Sequence, residues 1–187
     1  MLEDFRNKSI APKSNYKVGA VIHTNLGNKY GGFNIEFDKI EHTLHAEQTS
    51  YINFLMNKSV GEYPTSIDVS AAPCGHCRQF LSSLGGSDML VNFGDDSVLL
   101  SELLPHPFGG CSGDVFIEDM VIDFNMDDPI EYTDYMMGKS INKFTKFKGG
   151  CVIETYDETL HGGFFIENDA FNPSINPVVM AMCNLYL

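Results

Sequence analysis

Short apolar runs alternate with polar turns along the N-terminal half of the chain, in a pattern that predicts strands and helices. Tyr16 to His23 and Lys29 to Glu36 are two apolar segments separated by the turn-forming residues 24–28, which predicts a β-hairpin. The predicted elements that follow are a buried helix at His45 to Asn57, a strand at Ser66 to Ala72, a helix at Gly75 to Leu84, and two short strands, or a strand and a turn, at Asp88 to Phe93 and Ser97 to Leu104. This order predicts a sheet layered with helices, which is an α/β sandwich.

The predicted hairpin occurs twice in the chain. With an offset of 131 residues and no gaps, Tyr16 to Lys39 matches Phe147 to Ala170 at eleven of 24 positions, including a Gly-Gly-Phe run. The second copy stops before it could complete a sheet, which would leave strand edges and apolar surface exposed. We expect subunit contacts to cover that surface, unless the sequence is a trimmed or gapped version of a longer one.

The stretch between the two copies has a different composition. Residues 114–134 contain eight acidic residues and no Lys or Arg, which favours a solvated linker. Lys139, Lys143 and Lys146 then reverse the charge within a predicted short helix at residues 135–146. The predicted organisation is a first domain at residues 1–110, an acidic linker with a short helix at 111–146, and a partial second copy at 147–187.

Composition and charge restrict the classes of partner. The chain has 187 residues, 43% of them hydrophobic and 20% charged, which suits a packed globular core. Its formal net charge of -13 repels polyanions, so nucleic acid and anionic membrane surfaces are poor partners. No apolar run approaches the roughly 20 residues that span a bilayer, and the polar start lacks a signal-peptide core. These two features predict a soluble, cytoplasmic protein. Five cysteines is an odd number in a chain without a secretory signal, which predicts reduced thiols, some of them bound to metal.

Two short segments bring together residues that bind metals. His45-Ala46-Glu47 opens the first predicted helix, and Pro73-Cys74-Gly75-His76-Cys77 opens the second. Two thiolates three residues apart on a helical turn point to the same side, and a histidine from another helix completes a Cys2His zinc site. Three protein ligands leave one position open for water, as in catalytic zinc sites. Glu47 can then act as the proton shuttle for that water.

The two segments are more informative together than apart. A C-x-x-C pair by itself also occurs in structural zinc sites and redox sites. The combination of H-x-E with P-C-x-x-C is the signature of the zinc-dependent base deaminases. The sequence therefore indicates hydrolytic deamination, with His45, Cys74 and Cys77 as ligands of one zinc ion per chain and Glu47 as the catalytic carboxylate.

At this level of detail the chain resembles the cytidine deaminases of nucleoside salvage. The resembling stretches cover most of residues 10 to 110 and are APKSNYKVGAVI, NIEF, HAEQ, APCGHCRQFL and LLPHPFG. The resemblance implies a three-layer α/β/α sandwich with a mixed sheet. Residues 150–187, and ENDAFNP in particular, also resemble the noncatalytic C-terminal domain of the dimeric members of the family. We therefore expect an incomplete, degenerate second copy and a homodimer.

The resemblance also implies a substrate pocket. Asn34 and Glu36 match the ribose-binding pair of the family, and their alternation along a strand would direct both side chains to one side. Tyr16 matches an aromatic residue that lines the pocket, although a core aromatic would explain it equally well. Ala46 and Ala72 match positions whose backbone groups hold the pyrimidine edge.

The second copy is expected to serve a different purpose from the first. The offset of 131 places Asn176 at the position of His45 and Val178 at the position of Glu47, so the second copy cannot repeat the chemistry. In the dimeric relatives the noncatalytic domain helps to close the active site of the partner subunit. Ala170-Phe171 match the positions that do so.

The sequence thus predicts zinc-dependent conversion of free cytidine or deoxycytidine to uridine or deoxyuridine and ammonia, in pyrimidine salvage. Two alternatives stay open. A polynucleotide cytidine deaminase shares both motifs, although the net charge and the lack of Trp argue against it. A noncatalytic zinc-stabilised binding module is the other, against which the intact Glu47 and the missing fourth ligand argue. Arg78 could offset thiolate charge or simply be exposed, and the remaining cysteines and histidines receive no role.

Overall fold

The computed structural model describes residues 1–85, 88–109, 117 and 119–187. They fall into two compact units, Met1–Val121 and Ile122–Leu187, called unit 1 and unit 2 below. Unit 1 contains α1 (Leu2–Lys8), β1 (Gly19–Thr24), β2 (Lys29–Phe33), α2 (Ala46–Asn57), β3 (Pro64–Val69), α3 (Gly75–Gly85), β4 (Leu90–Phe93), β5 (Asp96–Leu99) and α4 (Leu100–Leu103). Unit 2 contains α5 (Pro129–Gly138), β6 (Gly150–Glu154), β7 (Leu160–Phe164) and α6 (Pro177–Tyr186).

Unit 1 is a mixed sheet covered by helices, which confirms the predicted α/β class. Its strands lie in the order β2-β1-β3-β4-β5, with β3 and β4 parallel and the other pairs antiparallel. Neighbouring residues of β2 contact different helices, because successive residues of a strand face opposite sides. A Cβ on Gly31 would collide with Phe5 of α1, and a Cβ on Gly32 would collide with Ser50 of α2. Helices therefore cover both faces of the sheet, as a three-layer sandwich requires.

Three elements of unit 1 differ from the predictions. The second strand ends at Phe33 and not at the predicted Glu36. Beyond it, Ile35 forms only isolated β-bridges, to Ile10 and Leu44. The predicted strand or turn at residues 97–104 is divided into β5 and the short helix α4. Helix α1 was not predicted, because only Leu2 and Phe5 are apolar within it and its contacts lie far along the chain.

Unit 2 repeats the local architecture of the first hairpin. The pairs Gly150↔Phe164 and Ile153↔His161 correspond to Gly19↔Phe33 and Ile22↔Tyr30 at an offset of 131. The isolated bridges repeat as well, since Ile166 pairs as Ile35 does. A helix precedes the hairpin and another follows it in both units. The register of the second hairpin is therefore the one that the sequence offset gives.

The short helix predicted at residues 135–146 lies elsewhere. Helix α5 begins at Pro129 and ends at Gly138, and it packs on β6 and β7 within unit 2. Asp128 determines this start, because its carboxylate accepts hydrogen bonds from the amides of Ile130 and Glu131. Proline at the first helical position favours the same start. The predicted helix was wrong because a run of lysines carries no capping signal.

Part of the predicted linker, with Cys111, lies outside the described residues. Among the residues that the structure does describe, no helix is long and apolar enough to cross a membrane.

A buried carboxylate stabilises the end of the sheet opposite the predicted zinc site. Glu62 is fully buried, and its carboxylate accepts hydrogen bonds from the Thr24 hydroxyl at 2.6 Å, the Tyr30 hydroxyl at 3.0 Å and the Ser59 amide at 2.8 Å. Burial alone would raise the pKa of Glu62, but these hydrogen bonds lower it below its usual value. Burial and Glu62 together raise the pKa of Tyr30 to about 12.

We expect Glu62→Gln to lower the free energy of unfolding by about 2–3 kcal/mol at neutral pH, because an amide can neither accept all of these hydrogen bonds nor carry the charge that strengthens them. The carboxylate has a lowered pKa in the folded state. Its contribution is therefore complete above the unfolded pKa of about 4.3 and is lost as pH falls through the folded pKa. Urea denaturation at pH 7 and pH 3 measures the difference. The exposed Glu41→Gln variant is the control, and an equal effect of Glu62→Gln at both pH values would contradict the account.

Candidate metal centre and substrate pocket

The three predicted metal ligands meet at the N-termini of two helices. His45 immediately precedes α2, Cys74 immediately precedes α3, and Cys77 lies in the first turn of α3. The Nδ1 atom of His45 is 3.4 Å from Sγ of Cys74, and the two sulfur atoms are 3.7 Å apart. All three donor atoms lie within 4.8 Å of one another. They form one cluster although 29 residues separate His45 from Cys74.

The donor set and its spacing fit zinc. Zn–S bonds of about 2.3 Å and Zn–N bonds of about 2.0–2.1 Å imply ligand separations of roughly 3.8 Å between sulfurs and 3.5 Å from nitrogen to sulfur in a tetrahedral site. The observed separations of 3.7 and 3.4 Å agree with these values. Among the described residues, no fourth His, Cys, Asp or Glu joins the cluster. A site with three protein ligands and one open position is typical of catalytic zinc.

The electrostatics of the cluster favour one thiolate. Hydrogen bonding from Cys77, and then from His45, lowers the pKa of Cys74 to about 3. The same contact with Cys74 raises the pKa of His45. Cys74 also lies at the positively polarised start of α3, which stabilises negative sulfur, whereas the contact with Cys74 and burial raise the pKa of Cys77. The negative charge on Cys74 therefore favours binding of a cation, although other donors of the cluster still carry protons.

Glu47 lies beside the cluster on the first turn of α2 and is only 4% exposed. Burial raises the pKa of its carboxylate. The side chain lines the same pocket as His45 and Cys74. A buried carboxylate that opens into a pocket beside a metal site is well placed to receive and return a proton.

The pocket beside the cluster has a volume of about 280 Å³, close to the lower end of the roughly 300–1,000 Å³ usual for small-molecule sites. It is lined by eight residues that the sequence singled out, namely Tyr16, Asn34, Glu36, His45, Ala46, Glu47, Ala72 and Cys74. Cys77, the third residue of the cluster, is fully buried and is not among the lining residues. Tyr16 is 63% exposed, which excludes the alternative that it is a core aromatic. The pocket also includes Ser14, Val18, Thr43 and Ala71, which no sequence motif singles out.

Asn34 is the residue that fixes the rim of the pocket. Its side-chain amide donates to the Tyr16 carbonyl at 2.9 Å, and its oxygen accepts from the Val18 amide at 2.8 Å and from the Ser9 hydroxyl. One N–H of the Asn34 amide remains for another acceptor, because the group has two. Asn34 can therefore position the rim and still donate to a substrate hydroxyl.

Glu36 holds the adjoining turn. Its carboxylate accepts from the amide of Lys13 at 2.7 Å and from that of Ser14 at 3.2 Å. Hydrogen bonds from Ser14 and Lys13 lower the pKa of Glu36. In unit 2, Glu167 accepts in the same way from the amides of Phe144 and Thr145. The carboxylate thus has a structural task in both units, which the sequence did not reveal.

Gln48 and His76 join the two ligand-bearing helices and were missed as functional residues. The side-chain oxygen of Gln48 accepts from the backbone amide of His45 at 3.0 Å, and its nitrogen lies 3.3 Å from Nε2 of His76. His76 stacks on His45 with a centroid separation of 5.5 Å. The capping-box spacing of His45 and Gln48 was the available signal. These contacts orient the imidazole ligand.

Arg78 binds backbone carbonyls and no thiolate. Its Nε donates to the Pro73 carbonyl at 2.9 Å and its Nη1 to the Leu103 carbonyl at 3.0 Å. The side-chain amide of Gln79 pairs with the backbone of Phe108, because its nitrogen donates to the Phe108 carbonyl and its oxygen accepts from the Phe108 amide, both at 3.0 Å. The two side chains therefore attach the LLPHPFG segment to α3.

The predicted residues of unit 2 lie on its surface. Phe171 is 59% exposed, has a positive φ of 57° and contacts the Phe144 ring edge to face at 6.2 Å. Ala170 is partly exposed beside it. Asn176 occupies the position of His45 and caps α6 by accepting from the Val179 amide. The metal cluster thus has no counterpart among the described residues of unit 2.

Comparison with known proteins agrees with this geometry. Residues 1–93 match the family described as the cytidine and deoxycytidylate deaminase zinc-binding region. The cytidine deaminase of Shewanella pealeana is 35% identical over 186 residues, which cover 93% of this chain and 62% of that protein. The cytidine deaminase of Aeromonas hydrophila is 32% identical over 191 residues, which cover 96% of this chain and 64% of that protein. The chain thus spans less than two thirds of the length of these relatives.

Solved structures of cytidine deaminases also resemble this chain. The cytidine deaminase of Burkholderia pseudomallei is 32% identical, with a TM-score of 0.52, over 57% of this chain and 93% of that one. The cytidine deaminase of Mycobacterium tuberculosis is 27% identical, with a TM-score of 0.53, over 58% of this chain and 91% of that one.

Proposed function

Because the chain belongs to the cytidine and deoxycytidylate deaminase family, we propose that it hydrolyses free cytidine or deoxycytidine to uridine or deoxyuridine and ammonia. The observation that carries the proposal is a His-Cys-Cys cluster with zinc spacing that opens, beside the buried Glu47, into a pocket of small-molecule size. We place the reaction in pyrimidine salvage in the cytoplasm. The cysteines among the described residues are all free thiols, which supports a reducing compartment.

His45, Cys74 and Cys77 would hold the zinc ion. When bound there, zinc supplies a water acidic enough to yield hydroxide near pH 7. Glu47 takes a proton from the attacking water and gives it to N3 of the pyrimidine while the oxygen bonds to C4. It then moves the remaining hydroxyl proton to the amino group, the C4–N bond breaks, and ammonia leaves as C4 becomes a carbonyl. Water is consumed and no oxidant or reductant is needed.

The other pocket residues would hold the substrate. Asn34 and Glu36 would bind the ribose hydroxyls, Tyr16 would line the pocket, and the backbone groups of Ala46 and Ala72 would contact the pyrimidine edge. All five residues line the pocket. An assay that offers cytidine and a cytosine-containing single-stranded oligonucleotide together, and measures ammonia release and each product, tests the substrate class. We expect product from the nucleoside alone. Deamination of the oligonucleotide in preference to cytidine would favour the polynucleotide alternative.

Glu36 and Glu167 make equivalent contacts in the two units, so variants of both distinguish an effect on substrate binding from an effect on stability. Glu36→Gln should raise the KM for cytidine about 10- to 100-fold, the effect of losing a hydrogen bond to a charged group. Glu167→Gln weakens the equivalent hydrogen bonds from backbone amides in unit 2 and should leave KM unchanged. Steady-state kinetics and thermal unfolding of both variants measure the two effects. An equal change of KM in both variants would assign Glu36 a structural role only.

We further propose a homodimer in which Ala170 and Phe171 of one copy help to close the pocket of the other. The exposure of Phe171 supports this. Phe171→Ala should lower kcat/KM about tenfold, the value of a well-packed aromatic contact, whereas Phe147→Ala, also exposed in unit 2, should not. Dilution below the dimer dissociation constant should lower specific activity. Full specific activity in a proven monomer contradicts the proposal.

A further inference from the structure

The side chain of Asn34 is held by a serine that does not itself line the pocket. Ser9 is buried, and its hydroxyl donates to the side-chain oxygen of Asn34. The amide of Val18 donates to the same oxygen at 2.8 Å. An amide oxygen has two lone pairs, so both are taken. Asn34 can therefore offer a ligand only the N–H that its bond to the Tyr16 carbonyl leaves free.

The Ser9 hydroxyl has one proton to donate, and the side-chain oxygen of Asn34 is its nearer acceptor. The other acceptor within reach is the backbone carbonyl oxygen of Asn34, at 3.3 Å. That carbonyl already accepts from the amide of Ile10 at 3.0 Å. The side-chain oxygen is therefore the better partner for the serine proton, because it is closer and the carbonyl already has a donor.

Unit 2 has a serine at the same position but a phenylalanine in the place of Asn34. The offset of 131 places Ser140 at the position of Ser9 and Gly149 at the position of Val18. The Ser140 hydroxyl binds the backbone directly, since it accepts from the Gly149 amide and lies beside the Gly149 carbonyl, both at 3.1 Å. A serine by itself thus satisfies this part of the hairpin.

The comparison of the two units separates structure from function at this position. The hairpin does not need an asparagine to satisfy its backbone, because unit 2 forms the same register without one. In unit 1 the side-chain amide of Asn34 lies between the serine hydroxyl and the amide of Val18, and it lines the pocket. The contact between Ser9 and Asn34 therefore serves the pocket and not the hairpin.

We propose that Ser9 is a positioning residue for the sugar of the substrate, because it keeps the oxygen of the Asn34 amide engaged and one N–H free for a sugar hydroxyl. The inference rests on the proposed function, in which Asn34 binds the ribose. The carboxylate of Glu36 lines the same pocket and can only accept. A donor and an acceptor side by side suit a hydroxyl, which accepts from one and donates to the other.

Removal of the serine hydroxyl should weaken sugar binding without slowing the chemical step. Ser9→Ala should raise the KM for cytidine about 3- to 10-fold, the effect of one neutral hydrogen bond, and change kcat less than about twofold. The zinc-loaded chain is also assayed with 2′-deoxycytidine, 3′-deoxycytidine and 5′-deoxycytidine. One of the three lacks the hydroxyl that Asn34 binds, and Ser9→Ala should raise its KM less than that of cytidine, since the contact is already lost.

Ser140→Ala is the matched control. It removes the equivalent hydroxyl in unit 2, where the metal cluster has no counterpart among the described residues. The variant should be destabilised at least as much as Ser9→Ala, because the Gly149 amide loses its partner, whereas the Val18 amide keeps Asn34. Every KM should stay unchanged in this control.

Hydrogen exchange of the Asn34 side-chain amide measures how firmly Ser9 holds Asn34 in the absence of substrate. Nuclear magnetic resonance follows the two amide protons in the wild type and in both variants. Exchange should be about 3- to 10-fold faster in Ser9→Ala, because one of the bonds that hold the amide is lost. It should be unchanged in Ser140→Ala.

Three results would each overturn the role of Ser9. They are an unchanged KM for cytidine in Ser9→Ala, an equal rise of KM for cytidine and all three analogues, and an unchanged exchange rate of the Asn34 amide. A wild-type chain that turned over no cytidine would instead count against the proposed function, and the exchange measurement would still decide whether Ser9 holds Asn34.

Discussion

Glu47→Gln should reduce kcat for cytidine about 1,000-fold or more while one zinc ion per chain remains bound. The size follows from the usual contribution of a positioned proton shuttle, about 100- to 10,000-fold. Glutamine has the shape of glutamate but cannot carry a proton between the attacking water, N3 and the departing amine. Because the Glu47 carboxylate lines the pocket and is not one of the three clustered donors, metal binding should survive.

Activity, zinc content and thermal unfolding are measured on the same preparation. Glu167→Gln is the matched control, because both glutamates are 4% exposed but Glu167 lies in unit 2. The control should keep its kcat. If Glu47→Gln retained more than about a tenth of the wild-type kcat, Glu47 would not be the proton shuttle that the expected factor requires.

Cys77→Ala should abolish both zinc binding and turnover. Cys77 is fully buried, and among the described residues no fourth His, Cys, Asp or Glu joins the cluster to take its place as a ligand. Loss of one of three protein ligands removes much of the binding free energy, and the remaining His45 and Cys74 no longer define a tetrahedral site. Metal analysis should fall from one zinc per chain to below about a tenth.

Cys183→Ala is the matched control for this variant. Cys183 is equally buried, but it lies in α6 of unit 2. The Cys183→Ala variant leaves a cavity of similar size and should lower the free energy of unfolding by a comparable amount, about 1 kcal/mol. Its zinc content and its activity should stay unchanged. Full zinc occupancy in Cys77→Ala would show that the metal is bound elsewhere.

The proximity of the candidate site residues could be predicted from the sequence because they are grouped in short segments. His45 and Glu47 are two residues apart, and Cys74 and Cys77 are three apart, so helix geometry alone determines which way each pair points. The structure brings His45, Glu47 and Cys74 to one pocket, and Cys77 joins His45 and Cys74 in the metal cluster. Whether these residues perform the assigned chemistry stays a prediction.

The contacts that support the site could not be predicted in this way. Asn34 bonds to Ser9 and Val18, and Glu36 bonds to Lys13, across 16 to 25 residues of chain. No local pattern records such pairings, because they exist only once α1 and the first hairpin have packed together. The helix α1 was missed for the same reason.

Unit 2 contains one feature that the sequence predicted correctly and one that it predicted wrongly. The offset of 131 predicted the register of its hairpin, since the Gly-Gly-Phe run lies against a helix in both units. The position of α5 was wrong, because Asp128 and Pro129 set its start and the lysines do not. That unit 2 is a degenerate copy with a closing role stays a prediction, as do the domain boundaries at residues 110 and 146.

The most direct test is a zinc titration of the metal-free chain, with the fall in ultraviolet absorbance as cytidine becomes uridine recorded at each addition. The account predicts that the rate rises in proportion to bound zinc and stops rising at one zinc per chain. Turnover by the metal-free chain, or no turnover when one zinc is bound, would contradict it.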